Sequence, residues 1–197
     1  MVMKTSRPYV MRARADAADQ TRARIVRAAV DLCAETMSLD FGLAEVAARA
    51  GTSVQTVLRH YGSRDGLLQA GQRLAQAEVI AERHVPAGDI AAAARTVTRH
   101  YERAGDWSLA MLARESRDSR VREVTDGGRQ VHRAWVRATF APQLARAAGD
   151  AAVLTDLLVV ATDVYTWKLL RRDRGLSQAQ VERRVLAMIT AILGEEA

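Results

Sequence analysis

Residues 43–65, LAEVAARAGTSVQTVLRHYGSRD, are the stretch whose reading decides the fold. Val46, Ala47 and Ala50 fall on one helical face, so the spacing predicts a short helix from about Leu43 to Ala50. Gly51 stands where a left-handed residue ends a helix, Ser53 can cap the next one, and Val54 to about Tyr61 forms a further short helix. Two short helices joined by a Gly-containing three-residue turn are the signature of a helix-turn-helix. At about 100° per residue, Val54, Val57, Leu58 and Tyr61 share the side expected to dock on preceding helices, while Gln55, Thr56, Arg59 and His60 share the other. That second side carries groove-reading chemistry. Gln pairs bidentately with adenine and Arg with guanine; Thr meets a phosphate or a thymine methyl, and His a phosphate oxygen.

Upstream, a helix is expected from a cap at Asp19 to about Glu35, with Ile25, Ala28, Ala29, Leu32 and Cys33 on its apolar face. Cys33 reads as a buried structural cysteine. Residues 1–17 read as a flexible basic arm, with Lys4, Arg7, Arg12 and Arg14 and no acid before Asp16. Downstream, Ser63 caps a helix of about Arg64 to Glu82, and residues 84–88 form a loop. Asp89 caps a helix to about Arg103, and Gly105-Asp106 precede another from Trp107 to about Glu115. Residues 118–147 are helical in composition but interrupted by Pro142 and by Gly127-Gly128, two glycines that cost about 2 kcal/mol relative to alanines. A helix from Ala151 to about Arg172 is apolar around nearly its whole circumference and is expected to be buried on more than one side. Ser177 caps the last helix, Gln178 to Leu193, striped by Val181, Val185, Met188, Ile189 and Ile192. These two helices read as half of a four-helix interface, which predicts a homodimer.

The expected fold is all-α, with about nine helices, and alternating strand patterns are almost absent. The 197 residues carry a net charge of +6 and are rich in Arg, with only two Lys. Positive charge is concentrated in two acid-free windows, residues 1–15 and 46–64, whereas residues 67–197 are nearly balanced, the footprint of a nucleic-acid contact. The single cysteine excludes an internal disulfide, and the basic residues near the start interrupt any secretory pattern, so a reducing, cytoplasmic location is expected. Asp156, Asp163 and Lys168 break the most apolar segment, which argues against a membrane span. His60, His84, His100 and His132 have no zinc-type spacing, no nucleophile or phosphate-loop motif is present, and neither metal, cofactor nor catalytic residues are expected.

Thr21-Arg22, Ile25, Ala28-Ala29, Leu32, Val46-Ala47, residues 50–53, residues 56–61, Ser63-Arg64-Asp65 and Leu67-Leu68 together resemble the N-terminal signature of TetR-type transcriptional regulators. The resemblance covers about residues 20–70. It implies three helices forming a DNA-binding domain (residues 18–66), a fourth linking it to an effector-binding and dimerisation domain (residues 67–197), and a dimer made by the last two helices. It also implies DNA contacts from Ser53, Gln55, Thr56, Arg59 and His60, with Arg64 on phosphate. There are departures: Leu58 replaces the usual Tyr that contacts phosphate, Arg64 replaces Lys, and Phe41-Gly42 replaces a capping Thr or Ser. Arg49 or the basic arm could compensate. An effector pocket is expected around His100, Tyr101, Trp107, Met111, Trp135 and Tyr165. The function expected is a ligand-responsive regulator, a repressor released from a palindromic double-stranded DNA operator by a small organic effector. Its rival, favoured by Leu58 and Gly42, is an all-helical small-molecule-binding protein with a degenerate DNA-binding module.

Overall fold

The computed structural model describes the backbone of residues 7–147 and 150–194, with side chains from residue 16 onward. Among these residues there are ten α-helices and no strand. They are α1 (Arg7–Thr36), α2 (Leu43–Arg49), α3 (Val54–Tyr61), α4 (Arg64–Glu82), α5 (Ile90–Leu112), α6 (Ser119–Thr139), α7 (Ala141–Arg146), α8 (Ala151–Ala161), α9 (Val164–Lys168) and α10 (Gln178–Leu193). A π-helical turn, Leu169–Asp173, follows α9. The chain divides into two units, residues 1–75 and 76–197, with the boundary inside α4.

In the first unit the limits of α2, α3 and α4 are set by local signals already visible in the sequence. Gly51 turns the chain with φ +63°, and Ser53 accepts a hydrogen bond from the Thr56 amide at 3.2 Å. The core is built from Ile25, Ala28, Leu32, Leu39, Phe41, Val46, Val57 and Leu67, all buried. Cys33 joins it, and burial pushes its thiol up to about 11, so it stays protonated. Helix α1 starts well before Asp19. Residues 7–17 of the expected arm are helical, with Pro8 in the first turn where its missing amide costs nothing; residues 1–6 lie outside the described residues. Leu58 is a second correction. It does not dock with Val57 but stays 39% exposed, because the next residue on a helix is rotated by about 100° from the buried direction.

The second unit packs around Tyr101, Val136, Phe140, Leu158, Trp167, Val181, Val185 and Ile189. Gly105 does not separate two helices there, since α5 is continuous through it. The residue is glycine because the Trp167 ring lies on its backbone; a Cβ at Gly105 would sit 2.4 Å from Trp167 Cζ3. Helix α6 likewise runs through Gly127-Gly128. The local cost is offset by its buried face, with Val121, Thr125, His132 and Val136, and by Arg129, which ties the glycine turn to Glu115 at 2.7 Å and Asp126 at 2.8 Å. Pro142, in the first turn of α7, marks a real break.

The single helix expected over residues 151–172 is instead α8, α9 and the π-turn. It breaks at Thr162-Asp163, where the Thr162 hydroxyl donates to the Leu158 carbonyl at 2.6 Å and the Asp163 carboxylate caps α9 through the Tyr165 amide at 2.9 Å. Nor is its apolar surface covered all round within the chain. Val153, Leu157 and Val160 on α8, with Tyr165 and Leu169 beyond, remain exposed. Helix α10 begins with a full capping box between Ser177 and Gln180 and buries Val181, Val185 and Ile189. No described helix is long and apolar enough to cross a membrane.

The glycines of α5 and α6 give opposite expectations. Gly105→Ala lowers stability by about 1–3 kcal/mol, the usual cost of overpacking, even though alanine favours the helix. Nothing lies within 4 Å of a Cβ at Gly128, so Gly128→Ala raises stability by up to about 1 kcal/mol. Urea denaturation of both variants checks the pair of signs.

Candidate nucleic-acid interface and the polar core of the second unit

Helix α3 is fixed at both ends before it meets anything. Ser53 caps its start, and its hydroxyl also lies 3.0 Å from that of Thr56. Near its end the Tyr61 hydroxyl donates to the Arg22 carbonyl of α1 at 2.7 Å, and Gly62, at φ +75°, turns the chain away. Val57 anchors the buried side. The structure therefore holds Gln55 and Arg59 exposed on the outer face, with Thr56 and His60 half-buried on its flank and Ser53 exposed at its head. Among the described residues Arg59 has no hydrogen-bond or ion-pair partner. Leu58, read as a docking residue, borders Gln55 on the same exposed surface.

Other arginines of this unit are committed to holding it together. The Arg64 guanidinium donates to the carbonyls of Leu39 at 2.8 Å and Phe41 at 3.1 Å, pairs with Asp40 at 3.0 Å, and lies over the Phe41 ring. It clamps the α1–α2 loop. Arg49 grips Glu35 through both terminal nitrogens and is not available to replace a missing phosphate contact. Arg24 donates to the Ala50 carbonyl at the end of α2. Gly42 precedes α2 with no side-chain cap. Of the arginines near the turn, Arg59 thus stands out as a cation presented outward.

A Gly-turned pair of short helices, the second offering an uncommitted Arg and Gln to solvent, defines a helix-turn-helix DNA-binding domain. Residues 25–70 match the family described as bacterial regulatory proteins, tetR family. The match identifies these residues as a DNA-binding domain of the tetR type. A comparison with curated proteins gives no match.

The residues expected to line an effector pocket are dispersed within the second unit. His100 and Tyr101 are buried neighbours on α5, their rings 5.2 Å apart. Trp135 is half-buried, stacks on His132, and donates from its indole to the Arg83 carbonyl at 2.7 Å. Met111 is fully buried, the Trp107 indole nitrogen is buried with no partner, and Tyr165 is 53% exposed, facing away from the core.

What joins the buried members is Arg83, which sequence reasoning missed. Only 3% exposed, its guanidinium lies 4.3 Å from the centroid of the Trp135 ring and 5.8 Å from that of Tyr101, and Nη2 donates to His132 Nδ1 at 2.8 Å. The signal was its helical spacing of four residues from the apolar Val79, just past the end of the fourth helix. A His132 that accepts at Nδ1 must carry its proton on Nε2, which faces the Thr162 hydroxyl at 3.2 Å and the Val159 carbonyl at 3.3 Å. A relay of hydrogen bonds therefore runs from Arg83 through the His132 ring to the α8–α9 break.

Burial, and then the charge of Arg83, pushes His132 down to about 3 and His100 down to about 4. Both are neutral in the folded chain, whereas in the unfolded chain they protonate near 6.5. Stability is fully present above that value and is lost as pH falls towards 4 and 3. Each histidine contributes a slope of at most about 1.4 kcal/mol per pH unit. Asp163, raised by burial, acts in the opposite sense. Urea midpoints of the full chain are expected to fall between pH 7 and pH 5, and the slope is expected to be shallower in His132→Gln.

Proposed function

We propose that the chain is a ligand-responsive, sequence-specific regulator that acts as a homodimer on a palindromic operator and, as a repressor, leaves it when a small organic molecule binds the second unit. The observation that carries the reading of DNA is the outer face of α3, where Gln55 and Arg59 are exposed on a helix held at both ends. Gln55, Thr56 and Arg59 would meet base edges and Ser53 and His60 the phosphates. Leu58 at the border of that face suits a thymine methyl better than the phosphate its usual counterpart contacts. Arg64, whose guanidinium is engaged by the α1–α2 loop, would contribute to phosphate binding mainly by holding that loop.

A dimer is supported by the row Val153, Leu157 and Val160, one and two turns apart on α8 and exposed in the single chain. Two copies would set their α3 helices in successive major grooves roughly 34 to 36 Å apart. Effector binding would favour a conformer unable to bridge both half-sites. Such a protein works in the cytoplasm, where its DNA is.

Selection of bound sequences from random DNA by the purified protein should yield an inverted repeat, and affinity for it should fall steeply with salt. Arg59→Ala should cost about 1–3 kcal/mol and relax preference at one base position in each half-site. Equal affinity for the selected repeat and for random DNA would overturn the reading. Val160→Glu is expected to convert the dimer to monomer in sedimentation velocity and to abolish binding to the full repeat.

A further inference from the structure

Arg83 carries a buried charge with no ion-pair partner in contact. No carboxylate among the described residues comes within 4.0 Å of it, and its Nε is buried with no partner. Tyr101 bonds to it, and two acids act on it from beyond that distance: Glu82, which itself bonds His100 and Arg103, and Asp163, which caps the Tyr165 amide. Its closest polar partner, His132, is a neutral acceptor. A buried, unpaired cation costs several kcal/mol, and an apolar side chain of similar volume would usually serve the fold better. The cation–π contacts with Trp135 and Tyr101 offset only part of that cost.

A second orphan lies nearby. Thr98, one turn before Tyr101 on the same face of α5, is 1% exposed, and its hydroxyl has no partner. Thr98, Tyr101, Thr162, Asp163, Trp167 and Val185 surround a gap too narrow for a water molecule in this conformation. The wall of that gap formed by Thr162 and Asp163 is the α8–α9 break, where helical hydrogen bonding is already interrupted and which the Arg83–His132 relay reaches.

We propose that Arg83, with the Thr98 hydroxyl as a second donor, is the recognition site for the carboxylate of a small, otherwise apolar organic acid, admitted when α8 and α9 part at Thr162-Asp163. The proposal rests on the ligand-responsive reading above and names the class of ligand. A single negative charge matches the one guanidinium there that lacks a contact ion pair, the planar fork has its Nε–H free for a carboxylate oxygen, and Trp167, Tyr101 and Val185 suit an aromatic or aliphatic body. A dianion would add a second negative charge beside Asp163, with no further cation to meet it. Because the closed gap is too narrow even for a water molecule, binding selects an open conformer, and the α8–α9 break is the element it moves.

The test is calorimetric and thermal titration of the full chain with benzoate, phenylacetate and octanoate, each against its neutral carboxamide. At least one acid is expected to bind saturably and to raise Tm, its amide binding about tenfold or more weakly, the ratio expected when a charge-assisted hydrogen bond is replaced by a neutral one. In Arg83→Met the acid and its amide should bind alike, with Tm in the absence of ligand unchanged or higher. Should that variant fail to fold, Arg83→Lys is expected to weaken the acid while leaving the amide unaffected. Failure of all three acids to bind, equal binding of acid and amide by the unaltered chain, or undiminished acid affinity in the variants would overturn the site. Acid binding that leaves operator affinity unchanged keeps the site and overturns the ligand-responsive reading. Operator release by acid and amide alike keeps that reading and overturns the site.

Discussion

The Trp167 ring resting on the bare backbone of Gly105 is the constraint around which the second unit is arranged. Its indole nitrogen donates to Glu102 at 2.9 Å, and Arg172 lies over the ring at 4.5 Å while pairing with Asp106. Arg171 reaches the same Glu102. One side chain is thus bound on its face, its edge and its polar corner to α5. For Trp167 to point there, α9 must diverge from the line of α8. That requirement accounts for the break at Thr162-Asp163 and for the π-turn beyond it, which aims Arg171 and Arg172 at α5.

Features determined within one turn of chain were legible in the sequence. The caps at Ser53, Asp89 and Ser177 and the left-handed turn at Gly51 are of this kind, and so are the limits of α2, α3, α4 and α10. Features determined by distant partners were not. Gly105 looked like a helix breaker because propensity is a local quantity, while the ring that demands a glycine comes from α9. Gly127-Gly128 misled in the same way, since the tie that steadies them, Arg129 to Glu115, reaches out of α6 to the loop that precedes it. Arg83 was invisible for a different reason. A charged residue is ordinarily assigned to solvent, and its burial depends on Trp135 and His132, both on α6.

Arginine does three distinct jobs in this chain. Arg64, Arg49 and Arg24 exploit the planar fork to satisfy carbonyls and acids inside the first unit, binding loop and helix ends that a small three-helix core would hold weakly. Arg59 keeps the same fork free and outward on α3. Arg83 holds it in the interior, boxed by aromatic faces and one neutral imidazole. The strongly basic composition is therefore a poor guide to where function lies, and the partner of each guanidinium a good one.

Cys33 has a consequence of a different kind. Its thiol is buried in the first unit and stays protonated far above neutrality, so in the closed fold it is protected both sterically and chemically. Because the chain has no other cysteine, alkylation of the protein under native conditions is a clock wound by one event, the opening of the helices that carry the reading face. The rate of that reaction isolates the local stability of the first unit from everything that happens in the second.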